Sequence, residues 1–314
     1  MVSGDCFMNK RPIVIDCDPG VDDALAIVLA NACPELEVKA INPVAGNVPY
    51  SSTSENTLRL VDYLGMDCRV GKGADRPLLL ERFTAGKVHG LDGLGGYVLP
   101  KGSKDFDEKN AWDVLYEEAV KAKGELELII LGPCTNVAIA LKAYPELENL
   151  IKSVTLMAGT RGKGNTNLFA EFNVRVDPHA TQIVLDSKIK EKYMCGLDGN
   201  LTVALTREEG DEIFGVESRI TEFTDYIAKF IDHRNKSMWN LTVNNINDLC
   251  AMACMIDPSI AEYSDVNCHI ECFNMESIGQ TVISEEGEKN LHYLIKADKE
   301  RYMDMLKEMM RYYQ

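Results

Sequence analysis

The sequence of 314 residues contains no run of about 18 apolar residues, so no segment is expected to span a membrane. It is short of positive charge: 33 Lys and Arg face 49 Asp and Glu, a formal net charge of -16. That balance repels nucleic acid and anionic membranes and, less decisively, nucleotides, whereas a neutral ligand or a cation meets no such penalty. The opening stretch MVSGDCFMNKRP has no apolar h-region, so no secretory signal is expected in it. The ten cysteines follow no regular framework. Cys250 and Cys254, at helical spacing among Ala and Met, read as buried thiols, and this usage fits a reducing cytoplasm better than a disulfide scaffold. The same pair is the nearest approach to metal-thiolate spacing, which keeps zinc as a minor alternative. No internal repeat, low-complexity segment or linker interrupts the chain, so one domain over 1–314 is expected, with a helical excursion between 205 and 247.

What is present is an ordinary globular composition, 46% hydrophobic and 26% charged. Apolar runs with strand character (RPIVIDCD, LEVKAINPV, DCRVGKG, ELELIILGP, SVTLMAG, KYMCGLD) alternate with segments of helical spacing. The helical segments are DDALAIVLANA, SSTSENTLRLVDYLG (Ser before it, Gly after), AWDVLYEEAVKA, TNVAIALKA and DPHATQIVLDS. In the last, Asp177 is expected as N-cap with Pro178 at the first helical position. Such alternation predicts an α/β fold with an open, mainly parallel sheet flanked by helices and right-handed crossovers. The second half is more helical, with ITEFTDYIAKFIDHR and INDLCAMACMI. CHIECF, GQTVIS and LHYLIKA read as a small hairpin system. The closing stretch repeats apolar residues at Tyr302, Leu306, Met309 and Tyr313, a helix packed on the body.

VIDCDPGVDDALAI, residues 14–27, crowds Asp16, Asp18, Asp22 and Asp23 into eight positions between two apolar runs. Strand alternation puts Asp16 and Asp18 on one face and Cys17 on the other. Pro19-Gly20 predicts a sharp turn, after which Asp22 and Asp23 fall in the first turn of a helix, where free N–H groups and the dipole favour anions. Helix capping accounts for Asp22 or Asp23 singly, but not for Asp16 and Asp18 at the end of an apolar strand. A divalent cation resolves the conflict, and hard oxygen ligands point to Ca²⁺ or Mg²⁺ before zinc or copper. The carboxyl end of a parallel strand is where open α/β sheets bind ligands. An EF-hand loop counted from Asp16 would need Glu at Ile27, which excludes it. A haloacid dehalogenase-type phosphatase also begins Asp-x-Asp, but lacks its small hydroxyl residue here.

DCDPGVDDALA resembles the N-terminal signature of the nucleoside hydrolases, the inosine–uridine-preferring family. Further matches follow in the family's order: VAGN (44–47), KVHGLDGLG (87–95), LGPCTNVA (131–138), LMAGT with Gly164-Asn165, AEFNVRVDPHA (170–180) and NDLCAMACMIDP (247–258). They span residues 12–258. The resemblance implies a Rossmann-like sheet and Ca²⁺-dependent hydrolysis of the N-glycosidic bond of ribonucleosides to free base and ribose. Such cleavage passes through an oxocarbenium-like sugar, for which a water made more acidic by Ca²⁺, a carboxylate base and nearby negative charge are suited.

Carried over by motif, Asp18 is the expected base and a metal ligand, with Asp23, Asp248 and the backbone carbonyl of Thr135 completing the metal set. Asp22, Asn165, Glu171 and Asn173 are expected to grip ribose over Met157, and Asn47 to orient the carboxylates or the water. His89 is expected at the base pocket and, with Asp18 and Asn47, in catalysis. Asn247 stands where many members carry His as the acid for the leaving base, and where the purine-specific branch carries Trp. Asn has no acidic proton to give. His233, Asn235 and Trp239 are the further base-pocket expectations, the last two being four apart on one helical face. DGNLT at 198–202 departs from the Asp-x-Thr of the pattern. The resemblance also implies a homodimer or homotetramer and a role in purine or pyrimidine salvage. Two other readings stay open from the residues: a nucleoside- or ribose-binding homologue without turnover, and a metal-dependent phosphohydrolase using Asp16 and Asp18.

Overall fold

A computed structural model describes residues 10–314; the N-terminal residues 1–9, which hold most of the stretch read for a signal and the cysteine at position 6, lie outside the described residues. The sheet starts from β1 (Arg11–Cys17), a strand whose last five residues are buried. Its alternation divides the core: Ile13, Ile15 and Cys17 face one apolar cluster, and Val14 faces another. β2 (Leu36–Pro43) and β3 (Arg69–Val70) lie parallel on one side of β1, and β4 (Leu126–Ile130), β5 (Ile151–Met157) and β6 (Glu191–Cys195) lie parallel on the other. The chain thus fills the sheet outward from β1 in one direction, then returns and fills it in the other. The loops after β1 and β4 diverge at that reversal and open a crevice at the carboxyl ends of the strands.

Helices cover both faces, as an all-parallel core requires. α1 (Val21–Ala32) and α2 (Tyr50–Leu64) pack on the face of Ile13 and Ile15. α4 (Ala111–Ala122), α5 (Thr135–Ala143) and α7 (Pro178–Asp186) pack on the face of Val14. α7 begins as its sequence predicts: Asp177 accepts from the backbone N–H of Ala180, and Pro178 is first. α2 begins one or two residues before the expected Ser, at Tyr50 after Pro49, and ends on Gly65 at φ 69°, a conformation that glycine adopts without strain. Two short helices, α3 (Gly86–His89) and α6 (Phe172–Val176), sit in the loops at the carboxyl edge.

The C-terminal half forms the expected antiparallel system but joins it to the main sheet. β9 (Ala261–Ile270) pairs with both β10 (Thr281–Ser284) and β11 (Leu291–Ala297), and the three do not form a separate unit. β11 runs parallel beside β6, with His292 opposite Tyr193, and β9 and β10 follow antiparallel, extending the described sheet to nine strands in the order β10-β9-β11-β6-β5-β4-β1-β2-β3. The physical reason is burial: Tyr293 and Leu294 are fully buried in β11 and need a sheet neighbour. Between β6 and β9 lie α8 (Leu197–Asn200), α9 (Arg207–Phe214), the long α10 (Thr221–Trp239) and α11 (Asn247–Ile256). A two-strand ribbon of β7 (Leu205–Thr206) and β8 (Val243–Asn244) accompanies them. α12 (Lys299–Tyr312) closes the chain with Tyr302, Leu306 and Met309 buried, followed by buried Tyr313. No described helix is long and apolar enough to cross a membrane.

Candidate active site

The turn after β1 carries Asp18 into the crevice, fully buried. It is pinched between two glycines from neighbouring strand ends: a Cβ at Gly46 would lie 2.0 Å from Asp18 Oδ2, and one at Gly132 would lie 2.8 Å from Oδ1. Only glycine lets the three loops close on this carboxylate. Asp18 Oδ2 accepts from the Asn47 backbone N–H at 2.6 Å, and Asp18 Oδ1 has no partner. Asp23, in the first turn of α1, accepts from the N–H of Asp18 (3.2 Å) and Gly20 (3.0 Å) and from Asn47 Nδ2 (3.1 Å). Asn47 therefore holds both carboxylates. Asp16 Oδ2 accepts from Asn136 Nδ2 at 3.0 Å while its Oδ1 is bare, which makes it a buried support for the loops rather than part of the cavity wall.

Burial dominates the electrostatics. Desolvation, then repulsion from Asp23, drives the Asp18 carboxyl far above its ordinary range. Asp248, in the first turn of α11, is raised by desolvation and by Asp23, Asp22 and Asp18. Asp16 is raised to about 8 by burial, and Asp23 to about 6 by burial against the relief of its hydrogen bonds. Carboxylates forced together out of water either take up protons or share a cation. The bare Asp18 and Asp22 oxygens and the all-oxygen donor set suit a hard cation in kind. Among the described residues, however, no three His, Cys, Asp or Glu side chains are already spaced to enclose a metal ion. The Thr135 hydroxyl donates to Asp177 Oδ2 at 2.8 Å, so the side chain of Thr135 is turned away from the carboxylates.

Above these groups opens a cavity of about 640 Å³, lined by Asp22, Asn47, His89, Leu131, Met157, Asn165, Glu171, Asn173, Trp239, Asn247 and Asp248 together with residues 83–88. Asp18 and Asp23 lie behind Asn47 and do not line it. Asn173 Nδ2 donates to Leu131 O at 2.6 Å and to Met157 O at 3.0 Å, which commits its amide hydrogens and leaves its oxygen to accept. Glu171 caps α6, accepting from the N–H of Asn173, Val174 and Gly159, while burial raises it to about 7. Asn165 is exposed at the rim. Asp22 Oδ2 accepts from the Asn247 N–H at 3.3 Å.

Two of the expected base-pocket residues stand elsewhere. His233 is exposed and outside the lining, and Asn235 is buried with its amide donating to Asn244 Oδ1 and Val243 O, fastening α10 to β8. The helix persists to Trp239, which lines the cavity, but its phase turns residue 234 rather than 233 inward. Arg234, to which the sequence reading assigned no role, is buried, 3.9 Å from Asp22 Oδ1, with its guanidinium over the Trp239 ring. Its signal was present: Ile227, Ile231 and Arg234 share the spacing of a core-facing stripe. All nine described cysteines are free, with Cys250 and Cys254 buried.

A Rossmann-ordered sheet with buried carboxylates at its reversal, under a cavity walled by amides and aromatics, defines an α/β enzyme of the kind that handles small polar ligands at strand ends. The profile of the inosine-uridine preferring nucleoside hydrolases matches residues 13–304. The chain is 34% identical over 313 residues to the pyrimidine-specific ribonucleoside hydrolase RihA of Photobacterium profundum, covering 97% of this chain and 100% of that protein. It is also 34% identical to the RihA of Salmonella agona, covering 96% and 99%. A purine-preferring ribonucleoside hydrolase from Gardnerella vaginalis superposes with a TM-score of 0.89 at 26% identity, covering 96% of this chain and 98% of that one. An inosine-guanosine nucleoside hydrolase superposes with a TM-score of 0.89 at 27% identity, covering 96% and 99%. The chain belongs to the inosine-uridine preferring nucleoside hydrolase family and is a nucleoside N-glycosyl hydrolase.

Proposed function

We propose that the protein hydrolyses ribonucleosides to free base and ribose in a Ca²⁺-dependent reaction, with Asp18 as the base that deprotonates the attacking water. The observation that carries this reading is the bare oxygen of a fully buried Asp18, a carboxylate that Asn47 holds together with Asp23. The carboxylates of Asp18, Asp23 and Asp248 and the carbonyl of Thr135 would hold Ca²⁺, which supplies positive charge that makes a nearby water easier to deprotonate. Asn47 keeps Asp18 and Asp23 in fixed orientations. Asp22, with one bare oxygen, and Asn173, with its oxygen left to accept, take ribose hydroxyls. Glu171 and Asn165 add contacts at the same end, and Met157 packs beneath. The concentrated negative charge stabilises the oxocarbenium-like sugar as the bond to the base lengthens.

His89 and Trp239 meet the base. Val21 N–H points at His89 Nδ1 at 3.4 Å and burial lowers the imidazole to about 4, so it is a neutral donor through Nε2. The relatives named pyrimidine-specific support uridine and cytidine as the first substrates to try. A cytoplasmic setting in nucleoside salvage, as a homo-oligomer, belongs to the same proposal. Incubation with uridine, cytidine, inosine and adenosine, with Ca²⁺ and with chelator, tests it. Ribose release that stops with chelator is expected; no release from any of the four with Ca²⁺ present overturns it.

A further inference from the structure

A chain of side-chain amides fixes the far end of the cavity. Asn200, fully buried at the end of α8, donates from Nδ2 to the Cys195 carbonyl at 3.1 Å. A carbonyl only accepts, so this bond sets which side of the Asn200 amide is nitrogen. The same NH₂ faces Asn247 Oδ1 at 3.4 Å, and Asn245 Nδ2 donates to that oxygen at 2.7 Å. The Asn247 oxygen is thus occupied from two sides, and its backbone N–H is tied to Asp22. What remains for the cavity, which Asn247 lines, is its own NH₂. His89 offers a second neutral N–H, and Arg234 stands behind Trp239 as a permanent cation. Lys87 adds positive charge at the exposed rim.

We infer that Asn247 is a catalytic residue that donates a fixed hydrogen bond to the departing base, that Asn200 and Asn245 are its positioning residues, and that the base leaves as an anion. The inference rests on the hydrolase reading above and deepens it to a substrate class: nucleosides whose free base is the stronger N–H acid, uridine before cytidine. In the step, the water oxygen forms its bond to C1′ and its proton passes to the carboxylate base. The C1′–N bond breaks with both electrons staying on the base, whose charge spreads onto ring carbonyl oxygens. Amide N–H groups stabilise that charge without giving up a proton. The base anion takes its proton from bulk water after release, and the carboxylic acid returns one, so the sum is nucleoside plus water to base plus ribose.

The test is a leaving-group series with Ca²⁺ present: 5-fluorouridine, uridine, 5-methyluridine, cytidine and p-nitrophenyl riboside, whose leaving group is already a stable anion. The wild type is expected to cleave them with kcat falling from 5-fluorouridine through uridine to 5-methyluridine, and with cytidine slower than uridine by about tenfold or more. Asn247→Ala is expected to lower kcat on uridine by about 100-fold with KM little changed, and to spare p-nitrophenyl riboside. Asn200→Ala is expected to lose about tenfold in kcat on uridine alone, a selectivity that general loosening of the fold would not produce. Cleavage of cytidine as fast as uridine, a flat series, or equal losses on uridine and p-nitrophenyl riboside in Asn247→Ala overturn the inference while leaving the hydrolase reading intact. Cleavage of none of the five while inosine or adenosine is still cleaved overturns the inference alone; cleavage of none of the five and of neither purine nucleoside overturns both.

Discussion

The two ends of the cavity are built from opposite materials. At the end proposed for the sugar the charge is negative: Asp22 and Asp248 stand in the wall and Asp18 and Asp23 behind it, all buried, with one oxygen of Asp18 and one of Asp22 bare. At the end proposed for the base the wall is neutral or aromatic: Asn247, His89 and Trp239, with Arg234 behind. Both ends meet where the Asn247 N–H donates to Asp22. The mechanism proposed above accounts for the difference. Positive charge develops on the sugar and electron density on the base, so carboxylates suit one end and donors the other.

Removing the base at the charged end should have the largest effect. Asp18→Asn keeps shape and hydrogen bonding but not basicity, and is expected to lower kcat by about 10⁴-fold while calorimetry still detects nucleoside binding. Undiminished turnover would assign the base elsewhere. The next effect concerns stability. Ca²⁺ at about 100 times its Kd should stabilise the fold by about 2.7 kcal/mol, seen as a rise in Tm, and Asp248→Asn should abolish that rise. An unchanged Tm in the wild type would mean that the buried acids are neutralised by protons.

His89 probes the neutral end through pH. Its folded value, lowered to about 4 by burial, lies below the ordinary 6.5. The unfolded chain therefore binds the extra proton first. The contribution of neutral His89 is complete above pH 6.5 and is lost as pH falls toward 4. Between pH 7 and 5 that loss is about 2 kcal/mol, so urea unfolding of His89→Gln should show about 2 kcal/mol less acid destabilisation than the wild type. Equal losses would place His89 in water. The smallest effect is expected at Trp239, half-exposed at the rim. Trp239→Ala should raise KM by about tenfold or less with kcat unchanged, because it removes stacking that substrate and transition state share.

The two ends were also unequally legible in the sequence. The charged end could be read because its residues cluster: Asp16 to Asp23 sit across one strand end and one helix start, where local rules of alternation and capping apply. Asp177 and Pro178 were legible for the same reason. The neutral end could not be read this way. Asn200 of α8 reaches Asn247 of α11 across 47 residues, Asn245 joins them from the link between β8 and α11, and an asparagine in a sequence does not say which way its amide faces. The chemistry of His233 does not say which way it faces, and a shift of one residue along α10 turns a side chain by about 100°, which leaves His233 exposed and Arg234 buried. The antiparallel pairing of β11 with β9 is the expected one, but its second neighbour β6 lies about a hundred residues away, and strand pattern alone names no such partner.

By itself the sequence determined the alternating α/β order, the acidic strand end and the ordered motifs, because each depends on neighbours within a few residues: strand period, helix caps, and carboxylates too close together to be accidental. Only the tertiary structure decided which loops close on Asp18, that Asn47 holds two carboxylates at once, that Arg234 rather than His233 turns inward, and which side of Asn247 faces the cavity. Those outcomes depend on hydrogen bonds between groups far apart in the chain, whose directions exist only once the strand ends and helices that carry them have packed.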